Sequence, residues 1–330
     1  MYGIGILGCG RFAENHFRAY PTLATRAKWV AACHTERSRQ RLDEVCDEHD
    51  IPLRFTDVEE FAACDEVDVV AVVTPPHVRL EVIRPLLEAG KHVMVAKPFT
   101  EGIDEAREIV ELADRYGCQL AVDQNARWSR AVMHMRELIE GGRIGTPTYA
   151  IINHCYWRDS VGWRSETDRL AMAIMGVHHL DSFRWLLLDE PAAVSCITAA
   201  RPTLSSRGEN ETTAIVEFRN GAMATMTHSW SSRSRSATDF QQFDGPLGSI
   251  ILRGRGEVTL STEDGEESWT FEPEGGGANI ARSMSLLLDS IESGQPPPHS
   301  GRDNLMTMAL LDACYRSAEE KRRIEISPTP

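Results

Sequence analysis

The chain has 330 residues, 42% hydrophobic and 25% charged, which is the composition of a globular protein long enough for about two domains with separate cores. A formal net charge of -14 excludes a generally basic, nucleic-acid-binding surface, and no apolar run is long enough to span a bilayer. No signal peptide is expected ahead of the first apolar run, and the 8 cysteines are scattered without a CxxC pair. We therefore expect reduced thiols, a cytoplasmic location, no metal site, and no nucleic-acid or membrane partner.

In chain order, Ile4, Ile6 and Leu7 lead at once into Gly8-Cys9-Gly10-Arg11-Phe12-Ala13. The pattern predicts a buried parallel strand, a tight glycine turn and a helix. In such a turn Gly8 permits the reversal, Gly10 lets backbone approach a pyrophosphate, and Ala13 lets the helix pack closely on the strand. The helix start would offer N–H groups and the positive dipole end to phosphates. Small residues also close ordinary turns, but the position directly after a strand favours the dinucleotide reading.

Residues 29–33 read as a second strand and 35–50 as a charged surface helix. Dinucleotide folds commonly hold an acidic residue about 20 positions past the glycines. Here that place falls to His34, followed by Thr35-Glu36-Arg37-Ser38. A missing carboxylate beside Arg37 leans the cofactor slightly from NAD towards NADP, whose extra phosphate wants cations. The alternative is that Arg37 and Arg39 are solvated helix residues.

Residues 67–73 form the most apolar run of this half and read as a central strand buried on both faces. It ends in Thr74-Pro75-Pro76-His77, a rigid turn at the sheet edge where ligands of open α/β sheets bind. A helix over 78–87, capped by Gly90, precedes a strand at 92–95 and the tripeptide Ala96-Lys97-Pro98. Lys97 either snorkels from the strand end or aims its charge into a cofactor cleft. A helix at 103–116 and a strand at 119–122 complete an alternation that predicts a doubly wound parallel sheet with right-handed crossovers.

From Asp123 the texture changes. A helix at 131–139 and a turn at 141–147 lead to strands at 148–155, 194–199, 212–218, 222–229 and 249–252. A long helix is expected over 168–188, two more over 280–292 and 303–320, and a polar loop at 231–236. The fold class is thus α/β, with a doubly wound domain over 1–122 and an α+β domain with a mainly antiparallel open sheet over 123–330.

Several of these motifs together resemble the glucose–fructose oxidoreductase / inositol dehydrogenase / rhizopine-catabolism (Gfo/Idh/MocA) family over nearly the whole length. GILGCGRFAENH, which ends on His16, is similar to its opening glycine motif, and the Thr74-Pro75-Pro76-His77 turn to its turn after the fourth strand. AGKHVMVAKP is similar to its catalytic-lysine segment, Gly176-Val177-His178-His179-Leu180-Asp181 to its second signature, and Gly245-Pro246-Leu247-Gly248-Ser249 to its glycine-rich hairpin. The resemblance implies a Rossmann domain binding NAD(P) and a second domain that binds a carbohydrate-like small molecule. It also implies a homodimer or homotetramer joined through the second sheet. Hydride transfer at a carbinol carbon would use Lys97 and His178 as the proton-handling pair. Gly8, Gly10, Arg11, Phe12, Ala13, His34, Arg37, Thr74, Pro75, His77 and Lys97 would hold the cofactor. Arg127, His154, Tyr156, Trp163, Arg164 and His178 would meet the substrate.

Two departures stand against this pattern. The family usually has Glu before its lysine, where this chain has Ala96. It usually has Asp one helical turn before its histidine, where this chain has Ile174. Asp159, Glu166 and Asp168 are the nearby candidates to replace them, while His179 and Asp181 are expected to be packing residues. Two other readings stay open: a cofactor-binding sensor or inactive partner without turnover, and a redox-assisted epimerase, lyase or glycosidase with tightly held cofactor.

Overall fold

A computed structural model describes residues 1–202, 204–234, 239–274 and 277–328. Residues 235 and 236 of the expected polar loop lie outside this range. The chain folds as two compact units, Met1–Trp128 with Glu274–Leu305, and Ser129–Pro273 with Met306–Pro330.

The first unit carries six strands: β1 (Tyr2–Leu7), β2 (Ala27–Cys33), β3 (Leu53–Phe55), β4 (Val69–Val72), β5 (His92–Ala96) and β6 (Leu120–Asp123). All neighbours pair in parallel, in the order β3-β2-β1-β4-β5-β6. The connecting helices are α1 (Ala13–Ala19), α2 (Arg39–Glu48), α3 (Val58–Ala62), α4 (Arg79–Glu88) and α5 (Ile103–Tyr116). This is the expected doubly wound sheet. It has an extra short strand, β3, too brief for periodicity to reveal.

Buried Ile6, Ala32 and Ala71 pack against Ala13 and Phe17 of α1 and Leu42 and Val45 of α2. Ile4, Val69, Met94 and Ala121 pack instead against Ile280, Met284, Leu287 and Leu288 of the helix Ala278–Ser293. That apolar stripe is why residues 274–305 belong to this unit, where a division at 122/123 would assign them to the second. Sequence order alone does not show such a return.

The second unit begins with α6 (Arg130–Glu140), whose N-terminus is capped by Ser129 Oγ accepting from Val132 N at 3.3 Å. Strand β7 (Tyr149–Cys155) follows, then the short α7 (Trp163–Glu166) and α8 (Val177–Leu187). The remaining strands are β8 (Pro191–Ala199), β9 (Glu211–Phe218), β10 (Met223–Ser229), β11 (Phe240–Gly245), β12 (Gly248–Arg253), β13 (Glu257–Thr262), β14 (Gly265–Thr270) and β15 (Ile324–Glu325). They form one sheet ordered β14-β13-β12-β11-β7-β10-β9-β8-β15. Only the β7/β10 pair among these is parallel. The glycine-rich segment makes the expected hairpin, with Gly245 opposite Gly248.

Two expectations change here. The helix expected from 168 starts later, as the π-helical turn Met172–Gly176 running into α8. Glu209 fixes that start: its carboxylate accepts from Leu170 N at 2.6 Å and Met172 N at 2.9 Å. Strands β11, β13, β14 and β15 were not among those expected; β14, GEESWT, has no apolar alternation because it is an exposed edge. Among the described residues, no helix is long and apolar enough to cross a membrane.

Candidate active site

In the first unit the strand order reverses between β1 and β4, the place where open parallel sheets bind ligands. The glycine turn sits there. Gly8 has φ +101°, donates its N–H to Cys33 O at 2.9 Å, and would bring a Cβ within 3.2 Å of Thr74 N. Only glycine fits that clamp between the ends of β2 and β4. At Gly10 a Cβ would meet no atom within 4 Å, so backbone is open to an approaching group. Ala13 is fully buried and donates its N–H to Gly10 O at 2.9 Å. The cradle therefore fits a dinucleotide pyrophosphate, with exposed Arg11 and half-buried Phe12 at its rim.

The other cofactor candidates also lie at the carboxyl ends of these strands. Thr74 and Pro75 are half-buried at the exit of β4, and His77 is exposed. Behind them lies a residue that sequence patterning missed, the buried Arg79. It donates to Thr74 O at 2.9 Å, to Phe99 O at 3.0 Å and to Ala96 O, tying the turn after β4 to the segment bearing Lys97. Burial lowers this guanidinium to about 9. His34 is half-buried after β2, and burial, then Arg41, lowers its proton affinity. Arg37 is exposed on the 3-10 turn Glu36–Ser38. Arg41, unforeseen, reaches the glycine turn itself, donating to Cys9 O at 3.2 Å and pairing with Glu14. His16 is buried beside Tyr20 OH at 3.2 Å and is pushed down to about 3, which keeps it neutral.

Lys97 is half-buried immediately past β5. On the next strand, Asp123 stands opposite Ala96 and is buried. Burial raises this acid to about 7, against the opposing pull of the Ser283 hydroxyl and the Lys97 ammonium. Arg127 does not have the free guanidinium expected of a substrate contact. It is 2% exposed, donates to Pro298 O at 3.0 Å and pairs with Asp303 at 2.7 Å, a staple within the first unit.

In the second unit, His154 on β7 and Tyr156 just past its end meet in one ring cluster. The His154 ring lies 4.7 Å from Tyr156, 4.8 Å from His179 and 5.3 Å from His228. His154 and His228 are direct partners across the parallel β7/β10 pair. His154 Nδ1 lies 2.9 Å from Asp239. His178 is buried one position before His179, so the two side chains leave α8 about 100° apart. Trp163 and Arg164 lie together on α7, the guanidinium 5.5 Å from the indole. The second unit has further such pairs: Arg158 over Trp230 at 4.8 Å and Arg233 over Trp157 at 3.5 Å.

The carboxylates expected as replacements have local surroundings of their own. Ile174 lies in an apolar cluster with Leu170, Ala171, Leu204 and Trp230. Asp159 is a loop staple that accepts from Ser205 Oγ at 2.8 Å, and those hydroxyl and amide donors hold it below the usual carboxylate range. Asp168 pairs with Arg207 at the surface, and Glu166 is exposed. Asp181 accepts from Thr307 Oγ1 at 2.8 Å, the packing role expected of it.

Comparison with known proteins agrees with this architecture. Residues 2–124 match the family description "Oxidoreductase family, NAD-binding Rossmann fold", and residues 132–251 match "GFO/IDH/MocA C-terminal domain". The chain is 26% identical over 339 residues to D-apiose dehydrogenase of Paraburkholderia graminis, covering 97% of this chain and 88% of the relative. It is 25% identical to inositol 2-dehydrogenase of Rhizobium meliloti, covering 98% of each. An oxidoreductase from Agrobacterium radiobacter, solved with NAD+, L-tartaric acid and magnesium, shares the fold at a TM-score of 0.88 and 24% identity, over 98% of each chain. With both of its domains matched, this chain belongs to the GFO/IDH/MocA oxidoreductase family.

Proposed function

We propose that this chain is an NAD(P)-dependent oxidoreductase that transfers hydride to or from a CH–OH carbon of a sugar, cyclitol or sugar-derived acid. The observation that carries the reading is the glycine turn clamped against Thr74 at the β1/β4 reversal, with Lys97 at the exit of the adjoining strand. Gly8, Gly10, Arg11, Phe12 and Ala13 would hold the pyrophosphate, and Thr74, Pro75 and His77 the nicotinamide side. When bound, the nicotinamide supplies the hydride acceptor or donor. The protein's own task is then to hold and move a proton at Lys97 Nζ, with His178 orienting the substrate or sharing that proton. Trp157, Trp163 and Arg164 give the second unit flat apolar faces edged with donors, a surface suited to a carbohydrate-like substrate.

Arg37, exposed beside His34 where an acidic residue is customary, supports a lean towards NADP. Assembly as a homodimer or homotetramer is supported by the solvent face of the second sheet, where Ile197, Ile215 and Met223 are 74%, 49% and 50% exposed. A second reading, cofactor binding without turnover, is favoured by Ile174, whose apolar surroundings leave no carboxylate at that position.

Separate titrations with NADH and NADPH, following nicotinamide fluorescence after any co-purified cofactor is stripped, test the reading. Tight binding of one or both is expected, followed by turnover in a sugar and polyol screen. Binding without turnover would favour the sensor reading, and binding of neither would overturn both.

A further inference from the structure

Between the turns that follow β4 and β5 lies a buried cation that the proposed chemistry has not yet used. Arg79 is the first residue of α4 and is 2% exposed. Its guanidinium is spent on backbone oxygens. Nε and Nη2 donate to Thr74 O at 3.2 and 2.9 Å, and Nη1 donates to Phe99 O at 3.0 Å and to Ala96 O. Among the described residues no carboxylate pairs with it, and burial alone lowers its proton affinity, to about 9. It therefore stays charged at neutral pH.

The ladder between β4 and β5 ends at Val72 and Val95. Beyond it one chain runs into Thr74-Pro75 and the other into Lys97-Pro98. Arg79 joins them again. Ala96 O lies just before Lys97 and Phe99 O just after Pro98, so one nitrogen, Nη1, holds the Lys97-Pro98 segment at both ends.

A tie between carbonyls does not require a charge. Neutral amide donors serve the same acceptors, and burying a guanidinium without a counter-ion is costly. What a guanidinium adds is geometry: five N–H donors in one rigid plane, which fix the angle as well as the distance between the groups they hold. On the far side of that fork, Thr74 Oγ1 is buried with no hydrogen-bond partner among the described residues. The turn anchored there thus presents a hydroxyl with bonding capacity left.

We propose that Arg79 is a positioning residue for Lys97. Its planar fork fixes the Lys97 segment against the Thr74-Pro75 turn, and so fixes where the Lys97 amine stands relative to a nicotinamide seated on that turn. Arg79 acts through backbone and not on the reactants. Misplacing a proton-handling group by a fraction of a bond length is enough to slow a transfer that depends on alignment. The catalytic consequence rests on the oxidoreductase reading, but the positioning itself does not.

The chain has four lysines, Lys28, Lys91, Lys97 and Lys321, so three serve as internal controls for the fourth. The whole wild-type protein and Arg79→Met are acetylated briefly at one pH and cut with a glutamate-specific protease. Fragment spectra then give the rate at each lysine. In Arg79→Met we expect the Lys97 rate to change at least roughly fivefold while the other three keep theirs, because only Lys97 hangs on the fork. Arg79→Lys is the milder variant should the first fail to fold: it keeps a cation but loses the planar fork, and should still shift Lys97 alone. The lysine it introduces is separated from Lys97 by Glu81 and Glu88, so the two fall on different peptides. An unchanged Lys97 rate in either folded variant overturns the proposal. So does an equal change at all four lysines, the mark of a general loosening. With a turned-over substrate in hand, Arg79→Met should lower kcat at least roughly tenfold while leaving cofactor Kd nearly unchanged. A Lys97-specific change in a protein that binds neither NADH nor NADPH would keep the positioning role and sink the oxidoreductase reading. Tight cofactor binding with an unchanged Lys97 rate would do the reverse.

Discussion

The two sheets place their chemistry by different means. In the first, position is set by backbone: a glycine at φ +101°, strand ends in parallel register, and Arg79 tying consecutive turns through their carbonyls. In the second, position is set by side chains stacked on side chains: His154, Tyr156, His179 and His228 in one ring cluster, and arginines laid over tryptophans. A backbone cradle suits a cofactor whose shape never varies. A side-chain cluster is easily altered one residue at a time, which suits a surface that sets substrate preference. The sharpest departures fit that division: the glycine turn is intact, whereas Ile174 has turned the site preceding His178 apolar.

The largest effect is expected at the proposed proton-handling lysine of the first unit. Lys97→Ala should lower kcat by roughly a hundred- to ten-thousandfold while changing cofactor Kd little, because the backbone cradle stays whole. Measured in the NAD(P)-linked assay, full activity in that variant would remove Lys97 from the chemistry. Next is Arg127→Met, which strips a buried guanidinium from Asp303 and Pro298 O. Breaking a buried pair costs about 3–5 kcal/mol, and here about 2–3 is expected because Asp303 keeps 31% exposure. Denaturant unfolding measures it, and a substrate KM unchanged in the surviving protein separates a staple from a substrate contact.

Gly8→Ala tests the backbone half directly. Positive φ and a Cβ 3.2 Å from Thr74 N should cost about 1–3 kcal/mol in stability and at least tenfold in cofactor affinity. An alanine variant that binds as tightly as wild type would mean that the turn has slack and that the cradle is not what selects glycine.

How much of this was legible follows the same division. Gly8, Gly10, Ala13 and Pro75 announce themselves because backbone demands restrict residue type locally, so the cofactor edge could be read along the chain. Asp123 could not. It looks like the residue after a strand until the register sets it opposite Ala96. His228 likewise meets His154 only because β10 inserts in parallel beside β7, and no local pattern encodes which strands become neighbours. The helix expected from 168 was misjudged because apolar periodicity continues upstream, while a distant acid, Glu209, decides where the helix begins. Arg127 looked available because its partner, Asp303, is contributed by the returning C-terminal segment.

Glu209 offers a test on the side-chain half. Burial raises it to about 7 from an ordinary 4.5, against the pull of its Leu170, Met172 and Tyr315 donors. A raised acid favours folding fully below its unfolded value and loses that contribution as pH rises through the folded value. Stability should therefore fall between about pH 4.5 and 7, and Asp123, raised by burial to about 7, adds to the fall with the same sign. Glu209→Gln should flatten the profile by on the order of 1–3 kcal/mol in urea unfolding across that window. An unchanged slope would mean that the carboxylate is already ionised and held by its three donors.

The smallest effect is also the cleanest discriminator between cofactors. Arg37 is exposed on its 3-10 turn, so replacing it should leave stability within about 0.5 kcal/mol. If its guanidinium meets the extra phosphate of NADP, Arg37→Ala should weaken NADPH binding roughly five- to tenfold and leave NADH untouched, the size of a solvent-screened charge-assisted contact. Raising the salt concentration should erode the same preference in wild type, because screening acts on an exposed pair. Equal losses for both cofactors would place Arg37 on the shared part of the dinucleotide. No loss for either would return it to the solvated face of the turn and leave His34 and Arg41, both at the edge of the glycine cradle, to decide which adenosine ribose the first unit accepts.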